Sequence, residues 1–282
     1  MMNLNETELL KSLKIDCSKC FGFCCVALYF SKSDGFPVDK KAGTPCSHLK
    51  SDFKCKIHQD LRKNGLKGCT AYDCFGAGQK VAQVTYGGND WCQSPQLSSQ
   101  MYDVFLMMRQ LHEMLWYLSD ALNQIPMNSI KDDLKLMIKE TEQLTNLDAE
   151  GILQIDIERH RMKVNVLLRQ VNELVNKSVK TNKKINSKNK KSLKSRCQFI
   201  SANLTKTDLI GANFAGALLI AANLRNTDLT GANLIGADLR DADIRGANLS
   251  KSLFLTQSQV NVAKGDSHTK LPQALDRPSY WD

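Results

Sequence analysis

The sequence lacks the features of an exported or membrane-spanning protein. No uncharged apolar run reaches the ~18 to 20 residues that a membrane helix needs, and the N-terminal stretch MMNLNETELLKSLK has no early basic patch followed by an apolar segment. We therefore expect a cytoplasmic protein. Its ten cysteines then indicate metal or redox chemistry rather than disulfides, because the cytosol keeps thiols reduced.

The sequence also lacks the motifs of the common enzyme classes. It contains no nucleotide-binding motif, no Walker-type phosphate loop and no hydrolase triad, and FGAG at 75–78 is too short to count as one of these. His112 and His160 lie close to predicted apolar stripes, which favours core or boundary positions. The pair His112 and Glu113 has no second histidine that would complete a zinc helix motif. No catalytic residue is indicated.

Acidic residues are absent from one segment, Lys177 to Arg196, which has nine lysines and arginines. The formal net charge of the whole chain is +9, so this segment accounts for the basic excess. It has almost no large apolar residue and cannot fold alone. We predict a linker or an extended helix end, which would be a solvated basic spacer. Binding of nucleic-acid phosphates is the alternative, although no aromatic residue is present for base stacking.

The length of 282 residues indicates two or three domains. Apolar residues recur at three- and four-residue steps from Ser98 until Pro126, in Ser129 to Leu144 and in Ile152 to Val175, which predicts a helical hairpin or three-helix bundle. The predicted divisions are a cysteine-rich metal-binding domain over 1–97, a helical domain over 98–176, a basic linker over 177–196, a five-residue repeat over 197–255, and a capping helix and tail over 256–282.

The repeat has a large apolar residue at its centre and a small residue two positions earlier, throughout. Five residues fit neither the helical nor the strand period, so the chain must turn once per repeat. Glycine, asparagine and aspartate supply these turns, and glycine occurs five times two positions after the centre. The centres are Phe199, Leu204, Leu209, Phe214, Leu219, Leu224, Leu229, Leu234, Leu239, Ile244, Leu249 and Phe254.

The stretches ANLTK, ANFAG, ANLRN, ANLIG, ADLRD and ANLSK resemble the signature of the pentapeptide-repeat proteins. The resemblance implies a right-handed, four-sided β-helix with four repeats per coil, and hence about three coils. The expected fold class is therefore multidomain α plus β. We expect Thr256 to begin a capping helix, Gly265 to end it, and Trp281 to anchor the tail.

Apolar side chains at outward positions of the coils predict a docking surface for a protein partner. A second subunit could close the open end of the coils, which would make a homodimer. The two predicted faces are Ile200, Leu218 and Ile220, and Ile235, Leu253 and Leu255. Some pentapeptide-repeat proteins protect DNA gyrase by imitating DNA, but imitation of a duplex needs a long, strongly negative rod, and this repeat is short and neutral.

Eight cysteines cluster near the N-terminus: Cys17, Cys20, Cys24, Cys25, Cys46, Cys55, Cys69 and Cys74. Thiolates bind zinc in fours and also hold iron-sulfur clusters, so the cluster predicts two zinc sites or an iron-sulfur centre. His58, and also His48, could replace a sulfur. Cys24 and Cys25 would point apart in an extended backbone, so either they serve different sites or one of them is a supporting residue. The rest of the ligand pairing stays open.

The order CSKCFGFCC, PCSHL, CKIH and GCTAYDC resembles the bacterial cysteine-cluster family described as zinc- or iron-chelating (YkgJ-like). The resemblance implies metal binding but no named reaction. The leading hypothesis is a cytoplasmic, metal-binding interaction protein, and the alternative is an iron-sulfur redox or metal-handling enzyme. Cys92 and Cys197 stand apart from the cluster, and Cys197 occupies a small inward position of the repeat.

Overall fold

The computed structural model describes residues 6–125, 129–181 and 198–281. Contacts divide the chain into two compact units, Met1–Ser119 with Asp132–Val166, and Asp120–Lys131 with Leu167–Asp282. The helices are α1 Glu6–Ser12, α2 Phe23–Ala27, α3 Lys67–Thr70, α4 Ala77–Lys80, α5 Ser98–Gln124, α6 Ser129–Thr145, α7 Ala149–Leu153, α8 Ile157–Thr181 and α9 Gln257–Val262. Single turns of 3-10 helix cover Cys17–Lys19, Lys32–Asp34, His58–Asp60 and Pro95–Leu97, and Val81–Thr85 is a π-helical turn.

The long helices α5 and α6 begin where the apolar periodicity predicts them, at Ser98 and Ser129. The third predicted helix is interrupted, because α7 ends at Leu153 and α8 begins at Ile157. Asp156 explains the interruption, since its carboxylate accepts the Arg159 amide at 3.0 Å and so starts a new helix. The sequence predicts one helical domain over 98–176, whereas the structure divides these helices between the two units. No helix in the described ranges is both long and apolar enough to cross a membrane.

The first unit is organised by two apolar clusters. The larger one joins α2, α4 and the first half of α5, and its most deeply buried members include Phe23, Ala77, Val81, Met101 and Phe105. The smaller cluster consists of Phe30, Phe36 and Leu66, and the two phenylalanine rings stack with centroids 4.5 Å apart. Two isolated antiparallel bridges, Phe30 with Lys40 and Leu49 with Cys55, tie the intervening loops together.

The second unit contains the five-residue repeat. Parallel bridges join residues twenty positions apart, such as Asn203 with Asn223 and Asn223 with Asp243. This spacing agrees with four repeats per coil. All five glycines of the repeat have φ between 63° and 69°, which is the turn conformation expected of them. The described residues contain isolated bridges but no extended strand or sheet, so the β-helix and its right-handed sense stay predictions.

The C-terminal segment forms the expected short helix. Thr256 caps α9 through a reciprocal pair of hydrogen bonds with Gln259, whose side chain also donates to the carbonyls of Leu234 and Ala237 at 2.8 Å. The prediction for Gly265 is wrong, because α9 ends at Val262. A β-carbon on Gly265 would lie 2.4 Å from the ring of Trp281. Gly265 therefore makes room for the buried Trp281, which anchors the tail.

The outward apolar positions differ in accessibility. Ile200 is 53% exposed, and Leu218, Ile220 and Ile235 are half-buried. Leu253 and Leu255 are 0% and 3% exposed, so the prediction that they lie on an open face is wrong. The reason is that the end of α5 lies along this part of the repeat, where the Gln124 side chain donates to the Ser252 carbonyl at 3.4 Å.

Part of the predicted basic linker lies outside the described residues. Residues 177–181 are the end of α8, whereas 182–196 and Cys197 are not described, and neither is Pro126. The prediction of a solvated linker, the alternative of phosphate binding and the packing role of Cys197 therefore stay predictions.

Candidate metal centre

The motif CSKCFGFCC bends around one glycine. Gly22 has φ 65° and precedes α2, which carries both Cys24 and Cys25. A β-carbon on Gly22 would lie 2.7 Å from the Leu49 side chain, so this position needs a glycine. The expectation of an extended backbone at Cys24 and Cys25 is wrong, but successive residues of a helix also point about 100° apart.

The middle cysteines lie on the loops that follow α2. The Cys46 amide donates to the Cys25 carbonyl at 3.0 Å, and Cys55 pairs with Leu49 in the antiparallel bridge. Lys40 is buried beside them. Its ammonium group donates to the carbonyls of Val26, Lys41 and Thr44 at 3.0, 3.0 and 2.7 Å, and so places a fixed positive charge near the thiols.

The stretch FGAGQ after Cys74 positions the first cysteines. Gly76 has φ 75°, and a β-carbon on Gly78 would lie 2.5 Å from the Cys20 sulfur. Gln79 accepts the Asp16 amide at 2.7 Å and donates to the Lys14 carbonyl at 2.9 Å. The two glycines and Gln79 therefore support the loop that contains Cys17 and Cys20. As a sequence motif this stretch is too short for a phosphate loop, but its glycine spacing is a visible signal of a tight turn.

All eight clustered cysteines line one cavity of about 90 Å³ in the first unit, together with His48 and His58. The His58 Nε2 atom lies 3.8 Å from the Cys17 sulfur. Aromatic and aliphatic side chains, among them Phe36 and Leu66, form the remaining wall. The structure thus brings together the eight cysteines predicted as metal ligands and the two histidines. Cys92 is exposed and lies outside this group.

The surroundings of the thiols favour a division into two sets of four. Cys20 and Cys24 pack with Cys74 in the larger apolar cluster, whereas Cys46 and Cys69 pack against the smaller one. Burial is the main cause that raises the pKa of Cys20 and of Cys69; nearby Cys74 and Cys17 raise that of Cys20 further, and Cys25, Cys46 and Cys55 raise that of Cys69 further. Cys17 has neighbours on both sides, because after burial Cys74, Cys25 and Cys55 all raise its pKa. The first set is Cys17, Cys20, Cys24 and Cys74, and the second set is Cys25, Cys46, Cys55 and Cys69.

The two sets meet at the adjacent residues Cys24 and Cys25. The Cys24 thiol donates a hydrogen bond to Cys25, which lowers the pKa of Cys25 and raises that of Cys24 well above its ordinary value. Burial raises the pKa of Cys20 and of Cys69 to about 12. Most of these thiols are therefore protonated at neutral pH, and a metal would have to displace their protons. Such raised pKa values do not suit a free-thiol nucleophile.

As the side chains stand, no three His, Cys, Asp or Glu residues in 6–125, 129–181 and 198–281 converge on a point that could hold a metal ion. The thiols therefore share a cavity without forming a finished coordination shell. Rotation about the single side-chain bond of each cysteine moves its sulfur within the cavity.

One polar group of the cavity has no partner. The Tyr72 hydroxyl is buried and makes no hydrogen bond within the described part of the chain, and Tyr72 lines the cavity between Cys69 and Cys74. Burial is the main cause that raises the pKa of this hydroxyl, and the charges of Cys24 and Cys74 raise it further. Tyr72 and Lys40 could not be predicted from the sequence, because their positions beside the thiols depend on the tertiary fold.

The two histidines of the long helices are core residues, as predicted. The His112 Nδ1–H donates to the Phe75 carbonyl at 2.7 Å, and the His160 Nε2 atom lies 2.9 Å from the Thr141 hydroxyl oxygen. Both rings are buried, at 5% exposure. Neither histidine lines the thiol cavity.

Comparison with known proteins identifies the C-terminal repeat. Residues 197–234 and 217–254 match the family model for pentapeptide repeats, with eight copies. The chain is 49% identical over 269 residues to a Bacillus subtilis (strain 168) protein described as uncharacterized protein YybG, and the match covers 95% of each chain. No solved structure matches the chain. The chain therefore belongs to the family of YybG, and its residues 197–254 are pentapeptide repeats.

Proposed function

We propose that the chain is a metal-binding interaction protein, in which each set of four thiols holds one metal ion and the pentapeptide repeats form a scaffold for a protein partner. The observation that carries the proposal is the common cavity, since eight thiols from four loops and from the helices α2 and α3 line it. Four thiolates are the complete ligand set of a structural zinc ion and of an iron-sulfur cluster.

The donor chemistry supports a structural rather than a catalytic metal. Each set supplies four sulfurs and so leaves no open coordination position for a substrate. When bound, such an ion would cross-link the loops that carry its ligands, as structural zinc does in small domains. His48 and His58 line the same cavity and are the alternative ligands if a sulfur of either set stays outside the shell.

The surroundings of the thiols fit a metal-thiolate centre. Four thiolates and one divalent cation carry a net charge of minus two, which needs compensation in a buried site. The Lys40 ammonium group interacts with Cys46, Cys25 and Cys69 of the second set and with Cys24 of the first, and it donates hydrogen bonds to three carbonyls. The resemblance of CSKCFGFCC and the following cysteines to the YkgJ-like chelating family also supports metal binding by these thiols.

The partner surface that remains open is the face of Ile200, Leu218 and Ile220. Ile200 is the most exposed of the three, at 53%, and the other two are half-buried. Pentapeptide repeats suggest an interaction or structural module. A protein partner on this face, or a second copy of the chain at the open end of the coils, would cover apolar area that water now contacts.

The decisive experiment is elemental analysis combined with an optical spectrum of protein purified without oxygen. We expect two zinc ions per chain, no visible absorption and a lower thermal midpoint after treatment with a strong chelator. Visible absorption with iron and inorganic sulfide would favour the iron-sulfur redox alternative. Protein that carries no stoichiometric metal and keeps its full thermal stability in chelator would contradict the proposal.

A further inference from the structure

The Tyr72 side chain lines the thiol cavity and has a hydroxyl that makes no hydrogen bond within the described residues. It lies between Cys69 and Cys74 in the stretch GCTAYDC, and it packs at the edge of the larger apolar cluster. Its hydroxyl has no contact with solvent and no partner within the described residues. A buried hydroxyl without a partner is unfavourable, so such a group usually marks a site that something else completes.

The groups near the hydroxyl indicate which hydrogen-bond acceptor it lacks. Tyr72 lines the cavity together with Cys24 and Cys74 of the first set, and after burial these two cysteines contribute most to raising the pKa of its hydroxyl. A neutral thiol is a weak acceptor, whereas a metal-bound thiolate accepts a charge-assisted hydrogen bond. The hydroxyl would therefore gain an acceptor when a metal displaces the thiol protons.

Arg109 makes Tyr72 a better donor. The guanidinium carbon lies 5.5 Å from the centroid of the Tyr72 ring, close enough for a cation-π interaction. The guanidinium is fixed in this position by the Asp73 carbonyl at 3.0 Å and by Glu113 at 3.3 Å. A positive charge over the ring polarises the O–H bond toward an acceptor.

We propose that the Tyr72 hydroxyl donates a hydrogen bond to a metal-bound thiolate of the first set, Cys24 or Cys74, and thereby sets the electron donation of that site. The inference rests on the proposed metal binding. The second set has a further charged neighbour, because the Lys40 ammonium group interacts with Cys46, Cys25 and Cys69, and also with Cys24 of the first set. The two metal ions would therefore occupy sites of unequal affinity and spectrum, and a change at Tyr72 would affect one site only.

The test uses the full chain loaded with cobalt(II), whose absorption reports on thiolate ligands. A thiolate that loses a hydrogen bond donates more strongly, so in Tyr72→Phe we expect the sulfur-to-cobalt charge-transfer band of one of two bound ions to shift to lower energy. Zinc affinity at that site should fall by about 10- to 100-fold in competition with a chelator, as is typical when an outer-shell partner is lost. Tyr86→Phe is the matched control, because the Tyr86 hydroxyl already donates to Gln100 at 3.0 Å and Tyr86 does not line the cavity.

The outcomes separate this inference from the proposed function. A wild-type chain that binds no cobalt would overturn the metal-binding proposal itself. A wild-type chain that binds two cobalt ions, with an unchanged spectrum and affinity in Tyr72→Phe, would overturn the hydrogen bond alone. If Tyr72→Phe fails to fold by circular dichroism, Arg109→Gln decides, since it keeps the hydroxyl and should shift the same band less far. A wild-type band in Arg109→Gln would then overturn the inference.

Discussion

The carboxylate of Asp120 accepts the backbone amide of Phe254 at 2.7 Å and so ties the end of α5 to the last repeat of the second unit. Burial raises the pKa of Asp120 to about 6, above its ordinary value of 3.8. A carboxyl group with a raised folded pKa contributes stability that is fully present below pH 3.8 and is lost as the pH rises through 6. The charged form of Asp120 is therefore a cost to the folded state at neutral pH.

Replacement of Asp120 should separate the hydrogen bond from the charge. Asp120→Asn keeps an oxygen acceptor for the Phe254 amide and removes the charge, so we expect stability at pH 8 equal to or above that of the wild type. Asp120→Ala leaves the buried amide unpaired and should be less stable than Asp120→Asn by about 1–3 kcal/mol. Urea denaturation at pH 8 measures both variants. Equal losses in the two would show that the hydrogen bond contributes nothing.

The glycines of the repeat are not equivalent, and a matched pair can demonstrate it. Gly231 and Gly216 have φ 69° and 64°, so alanine should strain both backbones by about 1–2 kcal/mol. A β-carbon on Gly231 would also lie 3.3 Å from Val175 and Val179 of α8, whereas one on Gly216 meets nothing within 4 Å. Gly231, Val175 and Val179 all belong to the second unit.

We therefore expect Gly231→Ala to be less stable than Gly216→Ala by about 1–3 kcal/mol, the usual range for overpacking. Urea denaturation of both variants at neutral pH measures the difference. Because the backbone angles are the same within a few degrees, the difference isolates the contact with α8. Two variants of equal stability would mean that α8 does not rest on Gly231.

The repeat could be predicted in detail because its rules are local. A period of five requires a turn in every repeat, and the turn position adopts a positive φ whether the residue is Gly211, Ala221, Asn226 or Asp241. The start of α9 at Thr256 is equally local, since it depends on a capping residue and the glutamine three positions later. These features need no knowledge of distant parts of the chain.

The predictions that failed depend on contacts between distant segments. An outward position in a coil says where Leu253 and Leu255 point but not that the end of α5 covers this part of the repeat. Gly265 looked like a helix stop, whereas its role is to accommodate Trp281, sixteen residues later. In the cavity, Tyr72 and Lys40 acquire their roles only when four separate loops bring the cysteines around them.

His112 should make the first unit sensitive to acid. Burial lowers its pKa from 6.5 to about 4, and its Nδ1–H donates to the Phe75 carbonyl. Because the folded state disfavours the charged ring, stability is full above pH 6.5 and falls as the pH drops from 6.5 toward 4. The loss is at most about 3 kcal/mol, at 1.4 kcal/mol for each pH unit.

Thermal unfolding of His112→Asn between pH 4 and 7 tests whether His112 causes the loss of stability in acid. The asparagine side chain can still donate to the Phe75 carbonyl but does not titrate, so the variant should lose less stability on acidification than the wild type. His268→Asn is the control for the removal of one imidazole, because His268 is exposed. A wild-type pH dependence in His112→Asn would assign the acid sensitivity to other groups.

The division of the thiols into two sets predicts how metal content responds to single substitutions. Cys20→Ser removes a ligand of the first set and Cys69→Ser one of the second, so each variant should retain one of the two metal ions and the double variant none. Metal-to-protein ratios from elemental analysis after gel filtration measure this directly. Cys92→Ser should keep both ions, because Cys92 is exposed and outside the cavity. Loss of both ions from each single variant would instead indicate one shared polynuclear centre, in which Cys24 and Cys25 ligate the same cluster.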